Sequence, residues 1–211
     1  MVYEKMYSSN DDDNSGTTVK LPPSQRIRNR LEEAKHRYHS NDNIADFIND
    51  GELDELQQEV AGKLEEVLQS LVIDTERDHN TQDTANRVAK MFVRETFSGR
   101  YRSVPKVTAF PNMGYKSLYT TGPISIRSTC AHHFQNIVGR CWVGIVPENE
   151  VIGLSKFNRL VHHIAERPQI QEEAVVQLAV GHRVTFCKFV IAARNIVSAV
   201  RKLHRNFGRH S

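Results

Sequence analysis

Cysteine is scarce, acidic residues vanish toward the C-terminus, and no long apolar run occurs. Three cysteines in 211 residues (Cys130, Cys141 and Cys187) are an odd number and exclude a disulfide framework. A reducing cytoplasm is the expected location. No stretch approaches the ~18 consecutive apolar residues of a bilayer-spanning helix. The first sixteen residues are polar and include Asp11, Asp12 and Asp13, which is not the pattern of a secretory signal. Hydrophobic residues at 39% and charged residues at 25% exclude a collagen-like or wholly disordered chain. From Gly181 to Ser211 there are seven Lys or Arg and no Asp or Glu, whereas residues 1–180 carry 21 basic against 25 acidic groups. A basic tail suits a nucleic acid or a triphosphate, and equally a solvated surface. No stacking-aromatic pattern accompanies these charges, which argues against nucleic acid.

Periodicity divides the remainder. Residues 1–23 are rich in Ser, Asn, Asp and Gly, end in Pro22-Pro23, and are expected to be disordered. A helical region follows over 24–82. Ser24 is a candidate cap for a short helix carrying Ile27, Leu31 and Ala34. Apolar residues at helical spacing predict a longer helix from Glu52 to Val72. A third helix is predicted over 84–97, ended by Gly99. From Val104 the period becomes that of strands: 107–110, 118–127 and 137–146 are β-branched or aromatic runs separated by turn residues. Helices return at Ser155, with Phe157, Leu160, Val161 and Ile164 inward, and again over 169–180 after the break at Pro168. Helices, strands and helices in that order predict an α+β fold with an antiparallel sheet and two helices packed on it.

Three clusters carry chemistry. Ser128-Thr129-Cys130-Ala131-His132-His133 follows a predicted strand, and a turn there brings Cys130 and His133 together. A thiolate and an imidazole suit Zn²⁺, leaving His132 for proton transfer; buried structural residues without metal are an equal alternative. In the second cluster, Gly153 to Arg159, a helix N-terminus with Ser155, and with Lys156 and Arg159 three residues apart, suits a triphosphate or is a solvated helix start. The third, Arg167 to Glu173, offers a carboxylate able to accept two hydrogen bonds from a guanine edge, or simply acids complementing a helix dipole.

In this order and spacing the clusters resemble the GTP cyclohydrolase I family. Asp83 to Met91, Phe97-Ser98-Gly99, Ser128 to His133, Val151 to Arg159 and Arg167 to Glu172 carry the resemblance, which spans residues 83–180 as a catalytic domain. It implies a tunnel fold and a toroidal homo-oligomer, a decamer among the candidate sizes, with active sites at subunit boundaries. It further implies a cytoplasmic, zinc-dependent hydrolase that converts GTP to 7,8-dihydroneopterin triphosphate and formate, at the entry to tetrahydrofolate and pterin biosynthesis. Carried over by residue, Cys130 and His133 are zinc ligands and His132 is the acid/base. Glu172 holds the guanine, Ser155, Lys156 and Arg159 lie near the phosphates, and Arg87 and Lys90 reach the triphosphate of a shared site.

The sequence departs from the family twice. Ala131 stands where the family usually has glutamate. After Val180 the family's His-x-Cys-x-x-x-Arg-Gly motif, source of its third zinc ligand, has no counterpart; Ala199 and Arg201 occupy the expected places of its histidine and cysteine. Cys187 is the one downstream cysteine, about 14 residues early, and reads better as a core residue of the run 186–193. Residues 181–211 thus form a basic segment that does not match the family. The alternative is a catalytically impaired, regulatory subunit. Another tunnel-fold enzyme, such as a nitrile reductase of deazaguanine synthesis, fits less well because Cys-Ala-His-His suits a metal better than a lone nucleophile.

Overall fold

The computed structural model describes residues 20–180 and 187–193. Most of the predicted lead-in and most of the basic segment 181–211 therefore lie outside the described residues. Helix α1 (Pro23–Glu33) opens with proline in its first turn, where a missing N–H costs nothing. Pro22 takes the cap position expected for Ser24. Ser24 instead donates from its N–H (2.9 Å) and its hydroxyl (2.6 Å) to Glu59 of α2 (Glu52–Ser70). The acidic first turn of α2 complements the helix dipole and meets the basic face of α1. Buried Glu52 pairs with Arg26 (3.1 Å) and Arg30, and Glu55 pairs with Lys20 (2.7 Å) and Arg26 (2.5 Å). Ile27, Leu31, Ile44 and Leu56 form a small core between the two helices.

The predicted helix over 84–97 changes character midway. Helix α3 (Thr84–Lys90) passes into a π-helical segment, Met91–Thr96, and then into a single turn, α4 (Ser98–Tyr101). Gly99 does not stop the helix; it lies inside α4. A Cβ there would stand 2.0 Å from the His163 carbonyl oxygen, so glycine permits the close approach of two backbones.

Beyond this point the chain builds β1 (Ala109–Pro111), β2 (Tyr119–Cys130), β3 (Asn136–Pro147) and β4 (Glu150–Ile152). They are followed by α5 (Leu154–Ala165), β5 (Pro168–Gln169), α6 (Gln171–Val180) and β6 (Cys187–Ala193). Strands β1 and β4 pair antiparallel, and the main sheet has the order β5-β2-β3-β6. Its long pairs, β2 with β3 and β3 with β6, are antiparallel as expected, while the two-residue β5 runs parallel to β2. The α+β expectation holds. Alternation buries Cys141, Val143 and Ile145 of β3 against Phe157, Val161 and Ile164 of α5 and Leu178 of α6. Among the described residues no helix is long and apolar enough to cross a membrane.

Cys141 belongs to this core and carries a pH dependence. Burial pushes its thiol up from an ordinary value near 9 to about 11. Between those values the unfolded chain has released a proton that the folded chain retains, so stability falls as pH rises. Chemical denaturation from pH 8 to 11 should show that decline, and Cys141→Ala should flatten it.

Candidate functional site

Strands β2 and β3 are joined by the short turn Ala131–Gln135, which holds the Cys-Ala-His-His string. Cys130 sits at the strand end, fixed on both sides. Its N–H donates to the Gln135 carbonyl (2.9 Å), and its carbonyl accepts from the Phe134 N–H (2.9 Å). The neighbouring Ala131 N–H donates to the carbonyl of Gln169 in β5 (3.2 Å). Phe134 adopts the left-handed conformation (φ 54°) that lets so short a turn close. Cys130 Sγ then lies 3.8 Å from His132 Nδ1, while the His132 and His133 rings are tilted with centroids 6.3 Å apart. Both histidines are exposed.

The turn is propped from two directions. Phe134 packs edge-on against Phe92 (6.1 Å) and Phe97 (5.4 Å), which stack on each other at 4.9 Å. Phe92 belongs to the π-helical segment, so the end of α3 that carries exposed Arg87 and Lys90 is tied to the histidine turn. Arg87 Nη2 donates to the Asn80 carbonyl (3.0 Å). On the other side, the register Cys130↔Gln169 sets β5 beside the cysteine, and α6 starts two residues later, bringing exposed Glu172 to the same end of the sheet. Gln169 is 2% exposed and its amide nitrogen donates to the Ile164 carbonyl (2.6 Å). Its Oε1, like Thr129 Oγ1, has no partner among the described residues.

Ser155, Lys156 and Arg159 do not join this group within one chain. They occupy the first turns of α5, whose C-terminal end is the one that meets Gln169. Ten residues of helix, about 15 Å, separate Ser155 from that end. A cavity of about 120 Å³ lies under Ser128, Gln169, Gln171 and Leu178. A groove of about 600 Å³ runs past Arg94, Arg127, Asn136 and Glu166. Neither takes Cys130 or the histidines into its wall.

The donor pair suits zinc. An ion at bonding distance from a thiolate and an imidazole in tetrahedral arrangement places the two donor atoms about 3.6 Å apart. Cys130 and His132 stand close to that separation, whereas no hydrogen bond joins Cys130 to His133, the histidine that the sequence pairs with it, among the described residues. Catalytic zinc ordinarily takes three protein ligands, and no group of three His, Cys, Asp or Glu gathers among the described residues. Within one chain the backbone holds Cys187 far from Cys130. Cys187 pairs with Pro147, whereas Cys130 lies beyond the Asn136 end of β3. Eleven residues of extended strand separate those ends, on the order of 35 Å. Cys187 is simply the first residue of a strand.

The sequence offered no sign that Gln169 would sit beside Cys130, because a two-residue parallel strand has no periodicity to detect. Nor did it show the π-helical segment, whose composition reads as ordinary helix.

Comparison with known proteins places the chain in a family. The family model for GTP cyclohydrolase I matches residues 60–190, from within α2 to within β6. The chain is 37% identical over 153 residues to a protein named GTP cyclohydrolase 1 from Erwinia tasmaniensis, covering 72% of this chain and 66% of that one. Proteins of the same name from Enterobacter sp. strain 638 (37% over 147 residues, 69% and 64%) and Salmonella choleraesuis (36% over 159 residues, 72% and 69%) are similarly related. The chain thus spans about two thirds of the length of the curated relatives it matches. With a match that takes in both the histidine turn and the strand-to-helix step beside it, the chain belongs to the GTP cyclohydrolase I family.

Proposed function

We propose that the chain is a zinc-dependent GTP cyclohydrolase, releasing C8 of GTP as formate and forming 7,8-dihydroneopterin triphosphate for tetrahydrofolate and pterin synthesis in the cytoplasm. Residues 83–180 form the catalytic domain in this reading, the helical region 24–82 supports it, and 181–211 is a separate basic segment. The observation that carries it is the Cys130 thiol 3.8 Å from the His132 imidazole at the β2–β3 turn, with His133 next to them in the chain and the β5–α6 step alongside.

Cys130 and His133 would hold the metal, which supplies Lewis acidity toward water when bound. Glu172 accepts two hydrogen bonds from the guanine N1–H and amino group, selecting that base. His132 moves a proton to or from the imidazole ring of the purine as it opens. Ser155, Lys156 and Arg159, a helix length from the thiol in one chain, would serve the triphosphate in a site completed by another copy, together with Arg87 and Lys90. That division favours the tunnel fold, a toroidal homo-oligomer and an inactive monomer.

One observation favours a second reading. Two donors are one short of a catalytic zinc site among the described residues, which suits a catalytically impaired regulatory subunit. Purified protein incubated with Zn²⁺ and GTP separates the two. Formate and a fluorescent neopterin after oxidation are expected; neither product, with zinc-free protein at purification, would overturn the enzymatic reading.

A further inference from the structure

Glu172 and Glu173 are adjacent in the first turn of α6, and successive helical residues point about 100° apart. The two carboxylates are treated differently. Glu173 Oε2 accepts a hydrogen bond at 2.6 Å from Nδ2 of Asn41, a residue 132 positions earlier and 5% exposed. Glu172 makes no side-chain hydrogen bond or ion pair among the described residues and faces solvent.

Asn41 is gripped on its main chain as well. Its carbonyl accepts from Arg167 Nη1 (3.1 Å) and from Gln177 Nε2 (3.3 Å). Gln177 lies one helical turn after Glu173 on the same face of α6. Arg167 is buried, donates from Nε to the His163 carbonyl (3.1 Å), and so links Asn41 to the end of α5. Burial pushes its guanidinium down to about 10, leaving it charged at neutral pH. The segment around Asn41 is itself anchored. Arg100 Nη1 donates to the Ser40 carbonyl (2.5 Å), and Asn43 Nδ2 donates to the carbonyls of Gly99 (2.8 Å) and Arg102 (2.7 Å). This segment precedes the residues matched by the family model.

The geometry points to Asn41 as a positioning residue: by holding Glu173 and the face of α6 below it, Asn41 fixes the rotation of the first turn and leaves Glu172 directed at substrate. The inference rests on the reading of Glu172 as the guanine-binding carboxylate. Because that contact binds ground state and transition state alike, its loosening raises KM more than it lowers kcat.

The test compares Asn41→Ala, Glu173→Ala, Glu173→Gln and Asn43→Ala in the full chain. Asn41→Ala and Glu173→Ala are expected to raise KM for GTP about tenfold with kcat within threefold, below the roughly hundredfold that a full ångström of misplacement costs. Glu173→Gln keeps an oxygen acceptor for the Asn41 amide, so its KM should stay within about twofold. Asn43→Ala loosens the anchored segment that carries Asn41 without removing the Asn41–Glu173 bond, so its KM should rise in the same direction as that of Asn41→Ala by a smaller factor. A fall in melting temperature with KM unchanged in Asn41→Ala would overturn the inference, as would Glu173→Gln behaving like Glu173→Ala, since charge rather than position would then be at work. Hydrogen exchange supplies a readout independent of turnover. Amides of 174–178 should exchange about tenfold faster in Asn41→Ala than in the unaltered chain; equal rates in the two would defeat the brace. If the unaltered chain releases no formate from GTP, the assignment of function fails, and exchange still decides whether Asn41 holds α6.

Discussion

Replacing His132 by asparagine is expected to lower kcat for GTP by about 10²–10⁴, the usual contribution of a positioned acid/base, with zinc content unchanged. His133→Asn should lose the metal and the activity together. The pair matters because the turn presents two exposed imidazoles beside one thiol, and a backbone alone does not decide which of them binds metal. The family resemblance gives the ligand role to His133. The structure brings Nδ1 of His132 to 3.8 Å from Cys130 Sγ, a separation that a shared tetrahedral ion also accepts. Metal analysis of the two purified variants, alongside formate release, resolves the roles. Loss of zinc in His132→Asn with retention in His133→Asn would exchange the assignments and leave His133 as the proton carrier.

The elements that could be read in advance were those with a repeating apolar pattern. α2 and α5 followed from their spacing, and the buried face of α5 (Phe157, Leu160, Val161 and Ile164) was identified residue by residue. β2 and β3 follow from β-branched and aromatic runs between turn residues, though β3 runs past the expected limits at both ends and β2 at its C-terminal end. Features set by long-range contact were not readable. Gly99 reads as a helix stop because glycine commonly ends helices, whereas its place is dictated by the His163 carbonyl across the fold. Ser24 is a candidate cap for its own helix by sequence and instead serves Glu59 of the next. Of the candidate site, the histidine turn and the α6 acids could be found as clusters. Their adjacency could not, because it depends on the Cys130↔Gln169 pairing of a two-residue strand. Asn41 sits in a polar stretch with no local pattern to mark it, and its role arises only from partners on α5 and α6.

That dependence on packing gives α5 an unusual position. One end of the helix carries Ser155, Lys156 and Arg159; the other abuts Gln169, which lies beside Cys130. In the toroid proposed above, the first end would serve one site and the second another, and the orientation of α5 on the sheet would set both. The orientation is held by side chains in the core.

Phe157→Ala is accordingly expected to destabilise the fold by about 3–5 kcal/mol, the range for removing a buried aromatic side chain. Phe157 is 2% exposed and packs in the cluster with Cys141, Val143 and Ile145 of β3 and Val161 and Ile164 of its own helix. Interiors are packed too densely to close over the missing ring, so the loss includes both transfer free energy and an unfilled cavity. For a chain of this size each kcal/mol lowers the melting temperature by roughly 2–4 °C, giving a decrease of about 6–20 °C. Phe157→Leu keeps most of the volume and should cost less than half as much. Thermal unfolding followed by circular dichroism measures both. Equal stability of the alanine variant and the unaltered protein would mean that the ring is not buried as described and that α5 does not rest on β3 through this residue.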